Sequence, residues 1–156
     1  MPRTAAHVMF NLLALAFYSI AAIAGETGEV WKSPTCGCCK AWVTYMQSKG
    51  FTLSVKDTST ATINQIKSSA GVAQKFAGCH SAKIGGYMIE GHVPAETISR
   101  ILAEKPDAIG LSIPGMPVGS PGMETDGTIE PFDVLLMKKD GTSEVFASYP
   151  GNKAAN

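Results

Sequence analysis

The chain has 156 residues, with 13 basic and 13 acidic side chains, so its formal net charge at pH 7 is zero. Its lysines and arginines are scattered along the sequence rather than clustered, which argues against nucleic acid as a partner. The length is typical of one domain that is large enough to bury its own core.

Residues 1–24 have the pattern of a secretory signal peptide. A weakly basic start precedes a mostly apolar run, and Ala22-Ile23-Ala24 matches the small-x-small pattern that signal peptidase accepts. An uncleaved anchor helix is the alternative, but the apolar run is shorter than the roughly 20 residues that a spanning helix needs. We therefore expect a periplasmic protein with one domain over residues 25–156 and no membrane association after cleavage.

The first part of that domain alternates predicted strands and helices. Glu29–Lys32 is a candidate short strand, and we expect a helix that begins inside the cysteine cluster and ends at Gly50. Phe51–Val55 alternates apolar and polar residues, as strands do. A second short helix ends at Gly71.

A hairpin and a third helix complete this pattern. Ser81–Ile84 and Tyr87–His92 flank a Gly-Gly turn, which is a good hairpin signal. Pro94 then opens a helix that Pro106 ends. The order of strand, helix, strand, helix, hairpin and helix predicts an α/β domain with a thioredoxin-like mixed sheet flanked by helices.

Ala108–Asp126 interrupts the regular pattern. It is rich in proline and glycine, yet it also contains apolar residues, including Met116 and Met123. Loops of this length are usually functional or disordered, and the apolar content favours an ordered loop that lies across the domain. Phe132–Met137 and Glu144–Tyr149 then predict an extra C-terminal β-hairpin.

Three of the four cysteines, Cys36, Cys38 and Cys39, lie within a stretch of four residues. The segment resembles the thioredoxin active site, Trp-Cys-Gly-Pro-Cys-Lys, and Cys36 and Cys39 keep its two-residue spacing. A helix N-terminus stabilises a thiolate, which is both the nucleophile of disulfide exchange and the form that binds metals. Cys38 replaces the proline, and this third thiol is useful for a metal but not needed for exchange.

Cys79 precedes the predicted hairpin and has His80 beside it. In thioredoxin-like folds the cis-proline loop stands there and faces the active-site cysteines, so we expect Cys79 and His80 to approach the cluster from across the site. Soft thiolates select Cu(I), Zn(II) or iron–sulfur clusters. His92, Met116 and Met123 are further candidate ligands, although a hydrogen-bonded turn histidine and gap-filling methionines are the commoner roles.

Several motifs in order resemble one family. They are Pro34–Cys39, Cys79-His80, Gly86-Tyr87 with Glu90–Ala95, and the Pro-Gly-Met segment Gly110–Glu124. Together they resemble the small secreted bacterial proteins of copper-resistance loci called CopG-type, long described as a domain of unknown function. The resemblance spans nearly all of the chain after the signal peptide.

The family resemblance implies a thioredoxin-like domain that binds several Cu(I) ions and takes part in periplasmic copper handling. Carried over position by position, it implies Cys36, Cys38, Cys39 and Cys79 as the ligands. Other periplasmic copper-handling proteins are the partners that such a role suggests, and copper redox activity is a further role that the resemblance leaves open.

Three functions fit these residues. The first is a Cu(I)-binding protein. The second is an enzyme, a thiol–disulfide oxidoreductase with Cys36 as nucleophile and Cys39 as resolving thiol. The third is a structural zinc site that uses Cys36, Cys38 or Cys39, Cys79 and His80. A purely structural disulfide pair is disfavoured, because adjacent cysteines would be strained if bridged and four cysteines are few for a disulfide scaffold. We place copper binding first.

Overall fold

A computed structural model describes residues 25–152, and the predicted signal peptide lies outside them. Among these residues, none of the helices has both the length and the apolar character needed to cross a bilayer. The elements in chain order are β1 Thr27–Lys32, α1 Gly37–Ser48, β2 Thr52–Asp57, α2 Thr60–Ser69, β3 Ser81–Ile84, β4 Tyr87–Glu90, α3 Ala95–Glu104, β5 Gly110–Ser112, β6 Phe132–Met137 and β7 Ser143–Tyr149.

Seven strands form one mixed sheet in the order β2-β1-β3-β4-β5-β6-β7. The crossover through α1 makes β1 and β2 parallel, and the hairpin of β3 and β4 adds two antiparallel pairings. This arrangement confirms the predicted thioredoxin-like α/β fold. A second crossover through α3 places β5 parallel to β4, and the predicted C-terminal hairpin extends the sheet from β5.

Helix α1 is held against the sheet by one apolar face. The buried residues Cys39, Trp42, Val43 and Met46 recur at three- and four-residue spacing. Burial of each large side chain stabilises the fold by about 1.5–3 kcal/mol relative to exposure. This packing fixes the direction of the helix, and with it the position of the cysteines at its first turn.

The prediction of an entirely irregular segment at Ala108–Asp126 is wrong at its beginning. Gly110–Ser112 forms β5, a buried strand between β4 and β6. Three residues are too few to show a periodicity in the sequence. A side chain at Gly110 would overlap the carbonyl group of Met88, so the close approach of the two backbones requires glycine there.

Several predicted boundaries also shift by one or two residues, and two of the shifts lie beside the site. The strand predicted at Tyr87–His92 ends at Glu90, and Pro94 is the N-cap of α3 rather than a residue of its first turn. Gly91 and His92 therefore follow the strand instead of belonging to it, and Gly91 has a positive φ of 75°. The turn at Gly91 directs His92 away from the strand path and toward the cysteines.

Candidate metal centre

The first turn of α1 carries three of the cysteines. Cys36 is the N-cap, and its sulfur accepts a hydrogen bond of 3.3 Å from the backbone N–H of Cys39. The same two residues are joined by a disulfide bond. Cys38 remains a free thiol, and its sulfur lies 3.6 Å from that of Cys36. The helix N-terminus therefore presents all three sulfurs at one place.

Cys79 reaches the cluster from the segment that leads into β3. Its sulfur lies 3.4 Å from that of Cys39, and it is the second free thiol among the described residues. All four cysteine sulfurs lie within 4.8 Å of one another. The structure thus brings together the four cysteines that the sequence singled out, although Cys39 and Cys79 are 40 positions apart.

The disulfide does not cross-link distant parts of the fold. It joins residues only three positions apart, within one helical turn. In the chain-entropy model, a cross-link over so short a loop constrains the unfolded chain much less than one over a long loop. Its position beside two free thiols, Cys38 and Cys79, is that of an exchangeable disulfide.

Two histidines complete a second group around Cys79. The ring nitrogens of His80 and His92 and the sulfur of Cys79 lie within 4.8 Å of one another. His80 Nδ1 is 3.5 Å from that sulfur, and His92 Nε2 is 3.4 Å from it. Cys79 therefore belongs both to the sulfur cluster and to a cluster of one sulfur and two imidazoles.

The tautomer of His92 follows from its contacts. Its Nδ1 lies 2.8 Å from the carbonyl oxygen of Pro121, and a carbonyl can only accept, so Nδ1 carries the proton. Nε2 then carries the lone pair that faces Cys79, where it accepts from the thiol. A backbone carbonyl that orients the imidazole in this way is common around histidines that bind metals. His92 is thus a hydrogen-bonded histidine whose Nε2 lone pair points toward the sulfur of Cys79.

His80 is buried against Trp42, with ring centroids 4.5 Å apart. Burial, with smaller contributions from His92 and two lysines, lowers the pKa of His80 to about 3, so the ring is neutral at physiological pH. Its Nε2 has no hydrogen-bond partner among the described residues. A buried nitrogen without a partner is costly, and it is Nδ1 rather than this Nε2 that faces the sulfur of Cys79.

The thiol of Cys79 holds its proton strongly. Burial, followed by the charge and hydrogen bond of Cys38, raises the pKa of Cys79 to about 11, against a smaller opposing effect of Lys67. At neutral pH Cys79 is therefore a thiol in the absence of a ligand. A metal that binds there must displace this proton, so binding is coupled to pH.

The proline- and glycine-rich loop closes the site on one side. Gly122 has a φ of 84° and lies against the first turns of α1, near Trp42 and the carbonyl of Cys38. The two methionines of this loop differ in exposure: Met116 is 51% exposed, whereas Met123, next to Gly122, is half-buried. The structure therefore brings the loop, but not the exposed Met116 side chain, into the packing around the cysteines.

Sequence reasoning missed two residues beside Cys79. Lys67 of α2 and Glu90 of β4 are buried and form an ion pair, with Nζ and Oε2 3.3 Å apart. Both also bind the backbone of Gly78, the residue before Cys79. The available signal was Glu90 itself, a charged residue at the end of the apolar run of β4.

The donor set suits a soft metal. Four sulfurs and two neutral imidazoles converge, and thiolates and imidazoles favour copper and zinc over hard cations such as magnesium or calcium. Two of the sulfurs are tied in the disulfide, so the full set of thiolates forms only after reduction.

Comparisons with known proteins find similarity to copper-resistance proteins. A family model described as "Protein of unknown function, DUF411" matches residues 76–123, the part that holds Cys79 and both histidines. The solved structure "Copper resistance protein copG- Form 1" is 36% identical, covers 80% of this chain and 98% of its own, and superposes with a TM-score of 0.74. "Copper resistance protein copG- Form 2" is 35% identical, with coverages of 81% and 99% and a TM-score of 0.74. No curated protein matches the chain. The chain belongs to the CopG-type family of copper-resistance proteins.

Proposed function

We propose that this chain is a periplasmic copper-binding protein that holds Cu(I) at a thiolate site with several metal ions and acts in copper resistance. One observation carries the proposal: four cysteine sulfurs from two distant segments lie within 4.8 Å of one another. Thiolates are soft ligands and select Cu(I). Cys36, Cys38, Cys39 and Cys79 are the proposed ligands, with His92 and His80 as nitrogen donors at the Cys79 side.

Charge balance favours more than one copper ion. One Cu(I) bound to four thiolates would leave a net charge of −3 in a half-buried site, and unpaired charges in such places are costly. Further Cu(I) ions bridged by the same sulfurs would neutralise that charge. The ammonium group of Lys67, also buried near Cys79, is already paired with the Glu90 carboxylate and therefore does not balance the charge of the thiolates.

Copper binding by all four cysteines requires the Cys36–Cys39 disulfide to be opened first. A thiol reductant would supply two electrons and two protons, and the new thiols would lose their protons to solvent as copper binds. In the reverse direction, oxidation of two cysteine thiolates to the disulfide releases two electrons, enough to reduce two Cu(II) ions to Cu(I). The site is therefore suited to copper redox activity as well as to storage.

The location rests on residues 1–24, whose pattern is that of a cleaved signal peptide. In the oxidising periplasm free thiols tend to form disulfides, and a bound soft metal protects them. A protein that takes up copper there would exchange it with other periplasmic copper-handling proteins. The chemistry of the site thus suits the compartment.

A thiol–disulfide oxidoreductase is the second candidate, because the structure has the Cys36–Cys39 disulfide at the N-terminus of α1, as enzymes of this fold do. Two features argue against it. Cys38 and Cys79 crowd the disulfide with further thiols, and residues 25–152 contain no cis peptide bond of the kind that exchange enzymes of this fold use opposite their cysteines.

The test is to express the full chain with its own signal peptide, reduce it anaerobically, load it with Cu(I) or Zn(II), and measure metal per chain. We expect more than one tightly held copper ion, and a lower number in Cys38→Ser and in Cys79→Ser. Met116→Leu is the matched control, because this exposed loop methionine should leave the thiolate site intact.

Two results would reject the proposal. Weak copper binding together with insulin reduction that persists in Cys38→Ser would establish the oxidoreductase instead. One zinc ion per chain, with unfolding on chelation and no excess of copper, would establish a structural zinc site.

A further inference from the structure

A four-residue segment carries Cys79 to the cluster, and one carboxylate binds both of its ends. Glu90 is fully buried. Its Oε2 accepts a hydrogen bond of 3.0 Å from the backbone N–H of Gly78, and its Oε1 accepts one of 2.6 Å from the hydroxyl of Ser81. The backbone between these two contacts holds only Cys79 and His80.

Lys67 binds the same segment and Glu90 as well. Its side chain is buried, its Nζ lies 3.3 Å from Oε2 of Glu90, and it donates a short hydrogen bond to the carbonyl of Gly78. Both backbone polar groups of Gly78, the residue before Cys79, are thus bound by the ion pair. A side chain at Gly78 would overlap the backbone of Gly91, so the segment is also confined on that face.

An ion pair in this position needs a reason other than stability. Taking two charges out of water is expensive, and well-packed apolar residues of similar size often stabilise a core as well or better. The charged pair instead fixes the position of the backbone. It makes strong, directional hydrogen bonds to backbone groups, which an apolar residue cannot make.

We propose that Lys67 and Glu90 are a positioning pair that holds the sulfur of Cys79 against the cysteine cluster. The pair acts through the Gly78 backbone and does not itself contact copper. The copper arm of its test rests on the proposed function, but the position of Cys79 can be tested with no metal present.

The metal-free arm measures how fast Cys79 reacts with iodoacetamide in unreduced, folded protein. In a Cys38→Ser background with the Cys36–Cys39 disulfide intact, Cys79 is the only free thiol. We expect Lys67→Met to raise its alkylation rate at least tenfold, because the half-buried sulfur is no longer held in the cluster. Lys67→Arg keeps the charge and the donors, and should restore most of the protection.

A control separates positioning from general stability. Ile63 lies on the buried face of the same helix, so Ile63→Ala weakens the packing of α2 without removing the ion pair. We expect Ile63→Ala to lower the melting temperature but to leave the alkylation rate within twofold. If Lys67→Met does not fold, Glu90→Gln decides the matter: its amide has one acceptor oxygen for two donors, the N–H of Gly78 and the hydroxyl of Ser81, so the alkylation rate of Cys79 should rise in this variant as well.

The copper arm uses the reduced chain with Cys38 restored. There Lys67→Met should bind as little Cu(I) per chain as Cys79→Ser does. The positioning role is refuted if the folded variant tested alkylates at the parent rate, or if Ile63→Ala accelerates alkylation equally. If the wild type binds no copper, the proposed function fails, while the alkylation result still decides the role of the pair.

Discussion

Gly122 provides a direct test of how the long loop supports the site. The residue has a φ of 84°, and a Cβ atom placed there would lie 2.6 Å from the backbone nitrogen of Trp42 and 2.9 Å from the carbonyl oxygen of Cys38. Both are backbone atoms of α1 and cannot rotate away. Gly122→Ala must therefore displace the loop from the helix, and with it the adjacent Pro121 carbonyl that orients His92.

The size of the effect follows from two contributions. An alanine in the left-handed region costs about 1–2 kcal/mol. Overpacking against atoms that cannot move adds about 1–3 kcal/mol. Gly127, also between β5 and β6, offers a matched control. Its φ is 91°, so an alanine there has the same backbone strain. A Cβ atom added to Gly127 would meet no atom of the described residues within 4 Å, apart from its chain neighbours. Gly127→Ala should therefore show the first contribution alone.

Urea unfolding of the unreduced protein, followed by the fluorescence of Trp31 and the buried Trp42, measures both variants. We expect the free energy of unfolding to fall by about 1–3 kcal/mol more in Gly122→Ala than in Gly127→Ala, at an unchanged m-value. Copper loading should also fall in Gly122→Ala alone, because His92 loses its orienting carbonyl. Equal losses of stability in the two variants would refute the packing of this loop on α1.

Three further predictions concern protons and thiols. The pKa of His80 is about 3 when folded and near 6.5 when unfolded, so the unfolded chain binds the extra proton between these values. Stability should therefore rise with pH in that window, with a contribution from His80 of up to about 1.4 kcal/mol per pH unit. Urea titrations should show a smaller slope in His80→Phe, and an unchanged slope would contradict the assignment. Because the pKa of Cys79 is raised to about 11, the Cu(I) affinity below that pH should rise more steeply with pH in the wild type than in Cys79→Ser, by about tenfold per pH unit, as competition with a chelator would show. Alkylation of the unreduced, denatured protein should label Cys38 and Cys79 but not Cys36 or Cys39, whereas four labels without reduction would exclude the disulfide.

The sequence could predict the parts of the site that depend on local pattern and topology. The helix that begins in the cysteine cluster is visible from the spacing of its apolar residues. The approach of Cys79 follows from its position just before a hairpin in a thioredoxin-like order. Both inferences need only the order of the elements, and the structure has Cys79 beside Cys39.

The remaining parts depend on contacts between distant residues. Lys67 and Glu90 are 23 positions apart, and a lysine on a short polar helix normally faces solvent, so nothing local indicates a buried pair. The orientation of His92 depends on Pro121, 29 positions later, in a loop whose path no periodicity describes. Strand β5 is too short to be recognised and is defined by its neighbours in the sheet.

X-ray absorption at the copper edge of the reduced, anaerobically loaded protein tests the central claim most directly, combined with metal analysis of the same sample. The four-cysteine site predicts more than one Cu(I) per chain, a ligand shell dominated by sulfur, and copper–copper scattering that is lost in Cys38→Ser. A single copper ion with nitrogen and oxygen ligands, unchanged in Cys38→Ser and Cys79→Ser, would contradict it.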